Sequence, residues 1–520
     1  MGSYIAQAFA SAFSPMTILL LAFGTAAGIA IGAMPGLSVN MGIALLYPLT
    51  FTFKGVQGII MLLGVYCGAI YGGSISAILL KTPGTPASAA TVEDGYPMAH
   101  EYRPVDLDNP KGPKLPPQPG RALGLSTFAS MFGGIFSAVM LILLAPQLAR
   151  VATSFSKPEY FALALFGISI ISSVSSESVL KGVMGGFLGL FIATIGVYSM
   201  TGKMRFTFGN TYLLGGVSFI PILIGLFALA QVLATIEEDF HDRYHDIHKE
   251  KSDSKIARVF PTGADLKLTM RTIIQSSLIG TFIGCVPGTG GDISSWIAYN
   301  TAKKTAKDNR RFGHGDPRGI CASESGNNSV SGGAMIPMLT LGIPGDGATA
   351  ILMGALMVQG IQPGPLLFTS DAVRVYAIFI GFMLANILMG VFGFSLIRLF
   401  AKVINIPTYI LTPIIIVITF VGTYSYNHSM TDVYIMVAFG IAGYFLKKLK
   451  FAPSAIILGI ILGSTAEQNF AGSLIMSGGK LSIFVTSPIC FIFLLITVLS
   501  LFSPVIGPLF RKLFRRNKTA

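Results

Sequence analysis

Long, continuous apolar runs dominate this chain and predict helices that cross a membrane. A spanning helix needs about 20 apolar residues to cross about 30 Å of hydrocarbon. The apolar positions do not alternate with polar ones, which favours helices over a β-barrel. We therefore predict an all-α polytopic membrane protein with about 10–14 transmembrane or re-entrant helices. The runs lie at 16–34, 57–80, 123–149, 159–174, 180–200, 212–234, 270–297, 331–360, 374–400, 408–424, 430–446, 452–466 and 482–510.

Composition excludes a soluble globular protein. Of the 520 residues, 52% are hydrophobic and only 11% are charged, whereas soluble domains carry about 25% charged residues. A single soluble core also stops growing well before this length. Intrinsic disorder is excluded because the chain has too much apolar mass. The 60 glycines are typical of membrane helices that pack closely or break.

The net charge of +13 comes from basic residues in short loops between apolar runs, which indicates membrane topology and not a nucleic-acid surface. It places loop 97–122, segment 235–269, loop 300–318 and the tail 511–520 in the cytoplasm. Because the first basic residue is Lys54, we expect the first span to be retained and not cleaved as a signal peptide. The four cysteines lack CxxC spacing, so neither a metal site nor a disulfide framework is expected.

Two motifs occur twice in the chain and indicate an internal duplication. The pattern GxxxGxxPG spans 28–36 and again 280–288, an offset of 252 residues. A Gly-Gly pair followed by a Pro-Gly spans 72–84 and again 332–345, at an offset of 260 to 261. Two ordered pairs at nearly one offset predict two structural repeats.

Loop charge predicts that the two repeats are inverted. With basic loops in the cytoplasm, segment 270–297 enters and leaves on one face as a re-entrant hairpin, and 331–360 crosses outward. The segment after Lys54 crosses inward, and opposite directions are typical of inverted repeats in secondary transporters. Lys203 and Arg205 fall on the wrong side in this scheme. The predicted organisation is a first membrane half 1–234, a charged linker 235–269, a second membrane half 270–510 and a basic tail 511–520.

Pro-Gly breaks inside apolar runs predict a binding site. Each break frees backbone groups that need partners within the membrane, and a half-helix starting there points its N–H groups and positive dipole end at the gap. We predict an anion site formed by Gly36, Ser38, Asn40, Lys81, Thr82, Gly84, Thr85, Gly288, Thr289 and Gly345. Two alternatives stay open: the glycines only permit close helix crossing, and Lys81 only extends its ammonium group to the membrane surface.

Polar and acidic residues near the second-half breaks predict a cation site. Asn327 and Asn328 supply amide oxygens suited to Na⁺, and Asp292 and Asp346 interrupt apolar runs, where acids are functional candidates. The alternative for Asp346 is a helix N-cap. No ATP-binding P-loop, HExxH or GxSxG motif occurs in the sequence, so we expect an ion gradient as the energy source, no enzyme activity and no cofactor beyond a coupling Na⁺.

The segments 32–37, 71–87, 94–99, 287–292, 322–328 and 341–345 together resemble the TctA family, the large membrane subunit of tripartite tricarboxylate transporters. The resemblance covers nearly the whole chain. It implies a bacterial inner-membrane transporter that imports citrate-like di- or tricarboxylates with Na⁺ or H⁺, with its C-terminus in the cytoplasm. It also implies two partners in addition to the lipid bilayer, a small TctB-like membrane subunit and a periplasmic TctC-like solute-binding protein. A passive carboxylate channel is the alternative.

Overall fold

The chain is almost entirely helical in the computed structural model, which describes residues 2–53, 55–105, 108–109, 111–174, 178–244, 256, 258–406 and 408–516. The first half contains α1 (Gly2–Ala12), α2 (Pro15–Ala33), α3 (Val39–Leu46), α4 (Gln57–Leu80), α5 (Ala89–His100), α6 (Pro119–Ala152), α7 (Lys157–Val174), α8 (Val179–Ala193), α9 (Phe219–Ile224) and α10 (Ala230–Tyr244). A π-helical turn, Gly225–Leu229, joins α9 to α10, and 3₁₀ turns lie at Tyr47–Thr52, Pro86–Ser88 and Thr211–Gly215.

The second half contains twelve helices among the described residues. They are α11 (Gly263–Gly284), α12 (Gly290–Thr305), α13 (Pro317–Leu341), α14 (Gly347–Val358), α15 (Leu367–Ser370), α16 (Ala372–Ser395), α17 (Ile397–Val403), α18 (Thr408–Asn427), α19 (Met430–Lys448), α20 (Pro453–Met476), α21 (Ile483–Thr486) and α22 (Pro488–Arg516). Two small antiparallel pairs, β1 (Arg103–Pro104) with β2 (Lys114–Leu115) and β3 (Gly196–Val197) with β4 (Met204–Arg205), lie in loops.

Seven helices of the described residues are long and apolar enough to span a membrane. They confirm the prediction of an all-α polytopic membrane protein. The apolar run 180–200 forms less helix than predicted, because α8 ends at Ala193 and the chain turns at Gly196 into β3 with a positive φ of 121°. Shorter broken helices account for much of the remaining apolar sequence.

The predicted linker 235–269 is helical at both ends. Helix α10 continues to Tyr244, and a capping box at Thr262 and Asp265 starts α11. Residues 245–255 and 257 of this linker lie outside the described residues. At the other end of the chain α22 continues to Arg516, so the basic tail begins as helix, and 517–520 lie outside the described residues.

The two sequence repeats form matching pairs of closely packed helices. Helix α2 packs along α4, and α11 packs along α13. A Cβ atom at Gly72 would lie 2.3 Å from the Ile29 carbonyl oxygen, and one at Gly333 would lie 2.3 Å from the Thr281 carbonyl oxygen. Both crossings therefore require glycine at the same place in the repeat.

Contacts between loops show the direction of each repeat. The loop between α5 and α6 touches the loop between α12 and α13, where Asp108 pairs with Arg310 at 2.7 Å and Arg103 donates to the Gly315 carbonyl at 2.8 Å. The α4–α5 unit thus runs toward this shared face, whereas α13, its counterpart in the second repeat, starts from it. Matching elements run in opposite directions, as an inverted repeat requires.

The α11–α12 pair begins and ends at this shared face. Asp265, in the first turn of α11, pairs with Arg121 at the start of α6 at 2.5 Å, and α12 leads into the loop that carries Arg310. The chain turns back between the two helices at Pro287 and Gly288. This arrangement agrees with the re-entrant hairpin predicted for 270–297.

Candidate functional site

Four helix breaks meet around one cavity of about 240 Å³. The breaks separate α2 from α3, α4 from α5, α11 from α12 and α13 from α14. Pockets for drug-sized ligands are about 300–1,000 Å³, so this volume suits a small solute. The cavity is lined by Ser38, Val39, Asn40, Tyr66, Ile70, Thr85, Pro86, Ala87, Gly288, Gly290, Gly291, Asp292, Asn327, Val330, Asp346, Gly347, Ala348 and Ser454.

The starts of the helices that follow the breaks line the cavity. Ser38 caps α3 by accepting from Met41 N–H at 3.1 Å, and Asp346 caps α14 by accepting from Thr349 N–H at 2.7 Å. Thr85 begins the turn that leads into α5, and Gly290 begins α12. The first N–H groups of a helix have no partners within it and carry its positive dipole end. Four such ends converge here and favour a bound anion, in a wall that contains no basic side chain but also carries the carboxyl groups of Asp292 and Asp346.

Seven of the predicted site residues lie in the cavity wall: Ser38, Asn40, Thr85, Gly288, Asp292, Asn327 and Asp346. They come from both sequence halves, so the cavity lies at the interface between the repeats. Gly36, Gly84, Thr289 and Gly345 lie beside it and shape the breaks. The Gly288 N–H donates to the Gly345 carbonyl at 2.6 Å and links the two second-half breaks.

The other flanking residues form the breaks through backbone contacts. The Gly36 carbonyl accepts from Gln231 Nε2 at 2.7 Å, and Gly84 N–H donates to the Gly73 carbonyl at 3.2 Å. The Thr289 hydroxyl donates to backbone carbonyls of α11 and the break, at Ile283 and Val286. These interactions hold the chain where the regular helical hydrogen bonds stop.

Lys81 and Thr82 lie outside the cavity wall, and the predicted anion contact of Lys81 has no counterpart in this geometry. Both side chains are exposed. Lys81 ends α4 in a left-handed conformation with φ of 59°, and its Nζ lies 5.4 Å from the centre of the Tyr96 ring. The Thr82 hydroxyl donates to the Leu80 carbonyl at 3.3 Å.

The side-chain amide of Asn327 is buried and unpaired. Its exposed fraction is 1%, and neither Oδ1 nor Nδ2 has a hydrogen-bond partner. An unsatisfied buried amide costs about 1–3 kcal/mol, and in the cavity wall a bound solute can satisfy it. Asn328 is equally buried but does not line the cavity, and its Nδ2 donates to the Glu324 carbonyl at 3.4 Å.

The ionisable side chains of the cavity wall, all among the described residues, are Asp292, Asp346 and Tyr66. The Tyr66 hydroxyl donates to Asp346 Oδ2 at 2.8 Å while Oδ1 caps α14. Asp346 is therefore the predicted N-cap and a cavity residue at once. Asp292 is exposed to the cavity.

Sequence reasoning missed Tyr66 and Ser454. Tyr66 lies in the middle of α4, in an apolar run without a motif, and Ser454 lies at the start of α20, far from either repeat motif. Only the three-dimensional packing brings them to the breaks. The one available signal for Tyr66 is its position in the helix directly before the Gly72-Gly73 motif.

Comparison with known proteins agrees with this architecture. The model of the tripartite tricarboxylate transporter TctA family matches residues 18–458. The chain is 34% identical over 487 residues to an uncharacterized 52.8 kDa protein in the TAR-I ttuC′ 3′ region of Agrobacterium vitis, covering 94% of this chain and 93% of that protein.

A second relative is an uncharacterized protein in the TAR-II ttuC′ 3′ region of Agrobacterium vitis. It is 36% identical over 210 residues, covering 40% of this chain and 87% of that protein. No solved structure matches the chain significantly. The family match covers most of the sequence, including all four breaks, and the chain is a multi-pass membrane protein that belongs to the tripartite tricarboxylate transporter TctA family.

Proposed function

We propose that this chain is the large membrane subunit of an importer for citrate-like di- and tricarboxylates and that the substrate binds in the cavity between the four breaks. The observation that carries the proposal is the convergence of four helix N-terminal ends on one cavity. Carboxylates are bound by such ends through free N–H groups and the helix dipole. The hydroxyl and amide groups of Ser38, Asn40 and Thr85 add neutral donors beside them.

Charge in the cavity wall supports symport with a cation. Asp292 and Asp346 would repel an anionic substrate, and no Lys or Arg is found among the lining residues, all of which are described. A Na⁺ or H⁺ that binds with the substrate offsets this repulsion, because opposite charges a few ångströms apart attract by several kcal/mol at intermediate dielectric. Cation and substrate then stabilise each other's binding, which is the basis of coupling.

For the cation, Asp292 and Asn327 are the ligands we propose, with Asp346 contributing charge. A carboxylate and an amide oxygen fit the hard oxygen ligands that alkali cations prefer, and the unpaired Oδ1 of Asn327 is available. Asp346 already accepts from Tyr66 and Thr349. We propose alternating access in which one part of the protein moves against the other around this cavity.

The proposed partners are a small TctB-like membrane subunit and a periplasmic TctC-like binding protein, with the chain in the bacterial inner membrane and its C-terminus in the cytoplasm. The binding protein would select the substrate, and the membrane chain would couple its movement to the ion. Family membership supports a transporter in preference to an enzyme.

Uptake of labelled citrate and other carboxylates into proteoliposomes tests the proposal. The vesicles contain this chain, its small partner and a matched binding protein, and a Na⁺ or H⁺ gradient is imposed. We expect accumulation that collapses with the gradient of the coupling ion. Flux that only equilibrates indicates a passive channel, and no flux with any carboxylate contradicts the substrate class.

A further inference from the structure

Glu324 is a buried acid that the cavity does not use. It lies in the middle of α13, its exposed fraction is 0%, and it does not line the cavity. Within the described part of the chain, no basic side chain forms an ion pair or a hydrogen bond with it. An isolated carboxylate inside a membrane protein is costly. The cost of an unpaired buried charge is about 3–5 kcal/mol, as measured when one partner of a buried ion pair is removed.

Hydroxyl groups from two helices of the first repeat surround this carboxyl group. The Thr91 hydroxyl of α5 contacts Oε1 at 2.5 Å, and the Ser130 hydroxyl of α6 contacts Oε2 at 2.7 Å. Nearby, the Ser126 hydroxyl donates to Ser74 at 2.7 Å. Hydroxyl groups both donate and accept, so this environment accommodates a neutral carboxyl group as well as an ionised one.

The Thr91 hydroxyl continues into a chain of hydrogen bonds that can reverse direction. Thr91 Oγ1 lies 3.0 Å from Ser323 Oγ, which lies 3.0 Å from the Ile320 carbonyl. With a proton on Oε1, Glu324 donates to Thr91, Thr91 to Ser323, and Ser323 to the carbonyl. Without that proton, Ser323 donates to Thr91 and Thr91 to the carboxylate. Both forms keep every hydroxyl proton bonded.

The charged and titratable groups on the surrounding helices do not supply a positive charge to Glu324. Tyr71 of α4 and Cys321 of α13 are within electrostatic reach, and neither a phenol nor a thiol can carry a positive charge. The basic group among them, Arg121 of α6, is paired with Asp265 of α11. The acids also have partners: Asp94 of α5 accepts from backbone N–H groups of 313–316 and from Tyr299 of α12, and Asp346 of α14 accepts from Tyr66.

Glu324 is also well placed to act on the cavity. It lies one helical turn before Asn327, and Thr91 follows closely after Thr85, Pro86 and Ala87, which line the cavity. Loss of a proton from Glu324 therefore changes the contact between α13 of one repeat and α5 and α6 of the other. α13 carries Asn327 and the turn before α5 carries Thr85, so this contact adjoins two parts of the cavity wall.

We propose that Glu324 binds and releases one proton in each transport cycle. In this conformation the carboxyl group is protonated. When water enters between α13 and the helices α5 and α6, the O–H bond of Glu324 breaks, the proton passes to a water molecule, and Thr91 turns to donate to the carboxylate. This inference rests on the proposed function because it names the proton as a coupling ion of the same transporter.

Infrared difference spectroscopy of the purified chain tests the protonation directly. We expect the wild type at neutral pH to show the carbonyl-stretch band of a protonated carboxyl group, and Glu324→Gln to lack it. Glu93→Gln, an exposed acid on the neighbouring α5, is the matched control and keeps the band. Should Glu324→Gln fail to fold, Thr91→Val, which keeps the side-chain shape, shifts the band to higher frequency by removing its hydrogen-bond acceptor.

Transport in proteoliposomes with the partner subunits tests the coupling. Gln imitates the neutral carboxyl group, so Glu324→Gln should exchange internal for external substrate within about two-fold of wild type while uptake driven by a pH gradient falls at least about ten-fold. Three outcomes overturn the inference. The wild type lacks the infrared band, a folded Glu324→Gln variant loses exchange, or Glu324→Gln still accumulates substrate with the pH gradient. A wild type that transports no carboxylate contradicts the proposed function instead, and leaves the infrared result as a separate test.

Discussion

At the scale of single residues, Asn327 and Asn386 form an informative pair. Both are buried with exposed fractions of 1% and 0%, but only Asn327 lines the cavity. Asn386 lies on α16, where its Nδ2 donates to the Phe382 carbonyl at 2.9 Å, its Oδ1 has no hydrogen-bond partner, and its side chain packs against Gly134. A buried amide that serves packing and one kept for a ligand should respond differently to the same substitution.

We expect Asn327→Ala to lower carboxylate uptake at least about ten-fold while the midpoint of thermal unfolding stays nearly unchanged. Removing the unpaired amide relieves a desolvation cost of about 1–3 kcal/mol, which offsets the lost packing. Asn386→Ala is the control: because it loses the hydrogen bond to the Phe382 carbonyl and the packing against Gly134, it should lower the unfolding midpoint while it keeps uptake. Normal uptake by Asn327→Ala would contradict its role in the cavity.

Asp94 predicts a pH dependence of stability. Its Oδ1 accepts from the N–H groups of Gly313, Gly315 and Asp316 at 2.9, 2.8 and 2.7 Å. Burial raises the pKa of Asp94 from 3.8 to about 6, although these N–H donors and the Tyr299 hydroxyl lower it. This residue lies in α5, outside the helices able to span the membrane.

Because the pKa of Asp94 is higher in the folded chain than in the unfolded one, the folded chain holds a proton that the unfolded chain releases between about pH 4 and pH 6. The free energy of unfolding of the wild type, relative to Asp94→Asn, should fall as pH rises through this window and then stay constant. Thermal unfolding of both proteins in detergent at several pH values measures it. A difference that increases with pH would contradict this assignment.

At the scale of helices, the breaks and the glycine crossings were predictable because they depend on short local motifs. Proline and glycine stop a helix wherever they occur in an apolar run, so the sequence located all four breaks. It did not locate Tyr66 or Ser454, because no motif near them in the sequence indicates which break they contact in the folded chain. It also placed Lys81 in the site, although the left-handed end of α4 directs this residue to the surface beside Tyr96.

The crossing of α11 and α13 should not tolerate a side chain at Gly333. We expect Gly333→Ala to destabilise the chain by about 1–3 kcal/mol or more, since its Cβ would overlap the Thr281 carbonyl and force the helices apart. Gly263→Ala, at the exposed start of α11 with open space around it, is the matched control and should be neutral or stabilising. Thermal unfolding measures both, and equal midpoints would contradict the close crossing.

At the scale of the whole molecule, the inverted repeat makes a prediction about sidedness. The loops around Asp108 and Arg310 touch, so both must face one side of the membrane, which loop charge predicts to be the cytoplasm. The chain after α14, including the exposed Leu366, should face the other side. The basic residues of the two loops predicted that both lie on one side of the membrane, but only the fold shows that the loops touch.

Cysteine labelling in intact cells measures this sidedness. On a Cys285→Ser background, whose other cysteines are buried, we expect Asp108→Cys and Arg310→Cys to be protected from an impermeant thiol reagent and Leu366→Cys to react with it. Lysis should expose the first two, and an oxidant should link them in the double variant. Reaction of only one of the two in intact cells would contradict the shared face.

The hydrogen bond between Gly288 and Gly345 has a consequence for the protein's second state. If the two repeats exchange backbone conformations during transport, this bond opens and its counterpart forms between Gly36 and Gly84. That bond would use the Gly36 N–H and the Gly84 carbonyl, whereas Gln231 now holds the Gly36 carbonyl and Gly73 accepts from the Gly84 N–H, so neither present contact occupies the atoms that it needs. A structure of the opposite state should show this exchanged pair, with the first repeat in the backbone conformation that the second repeat has now.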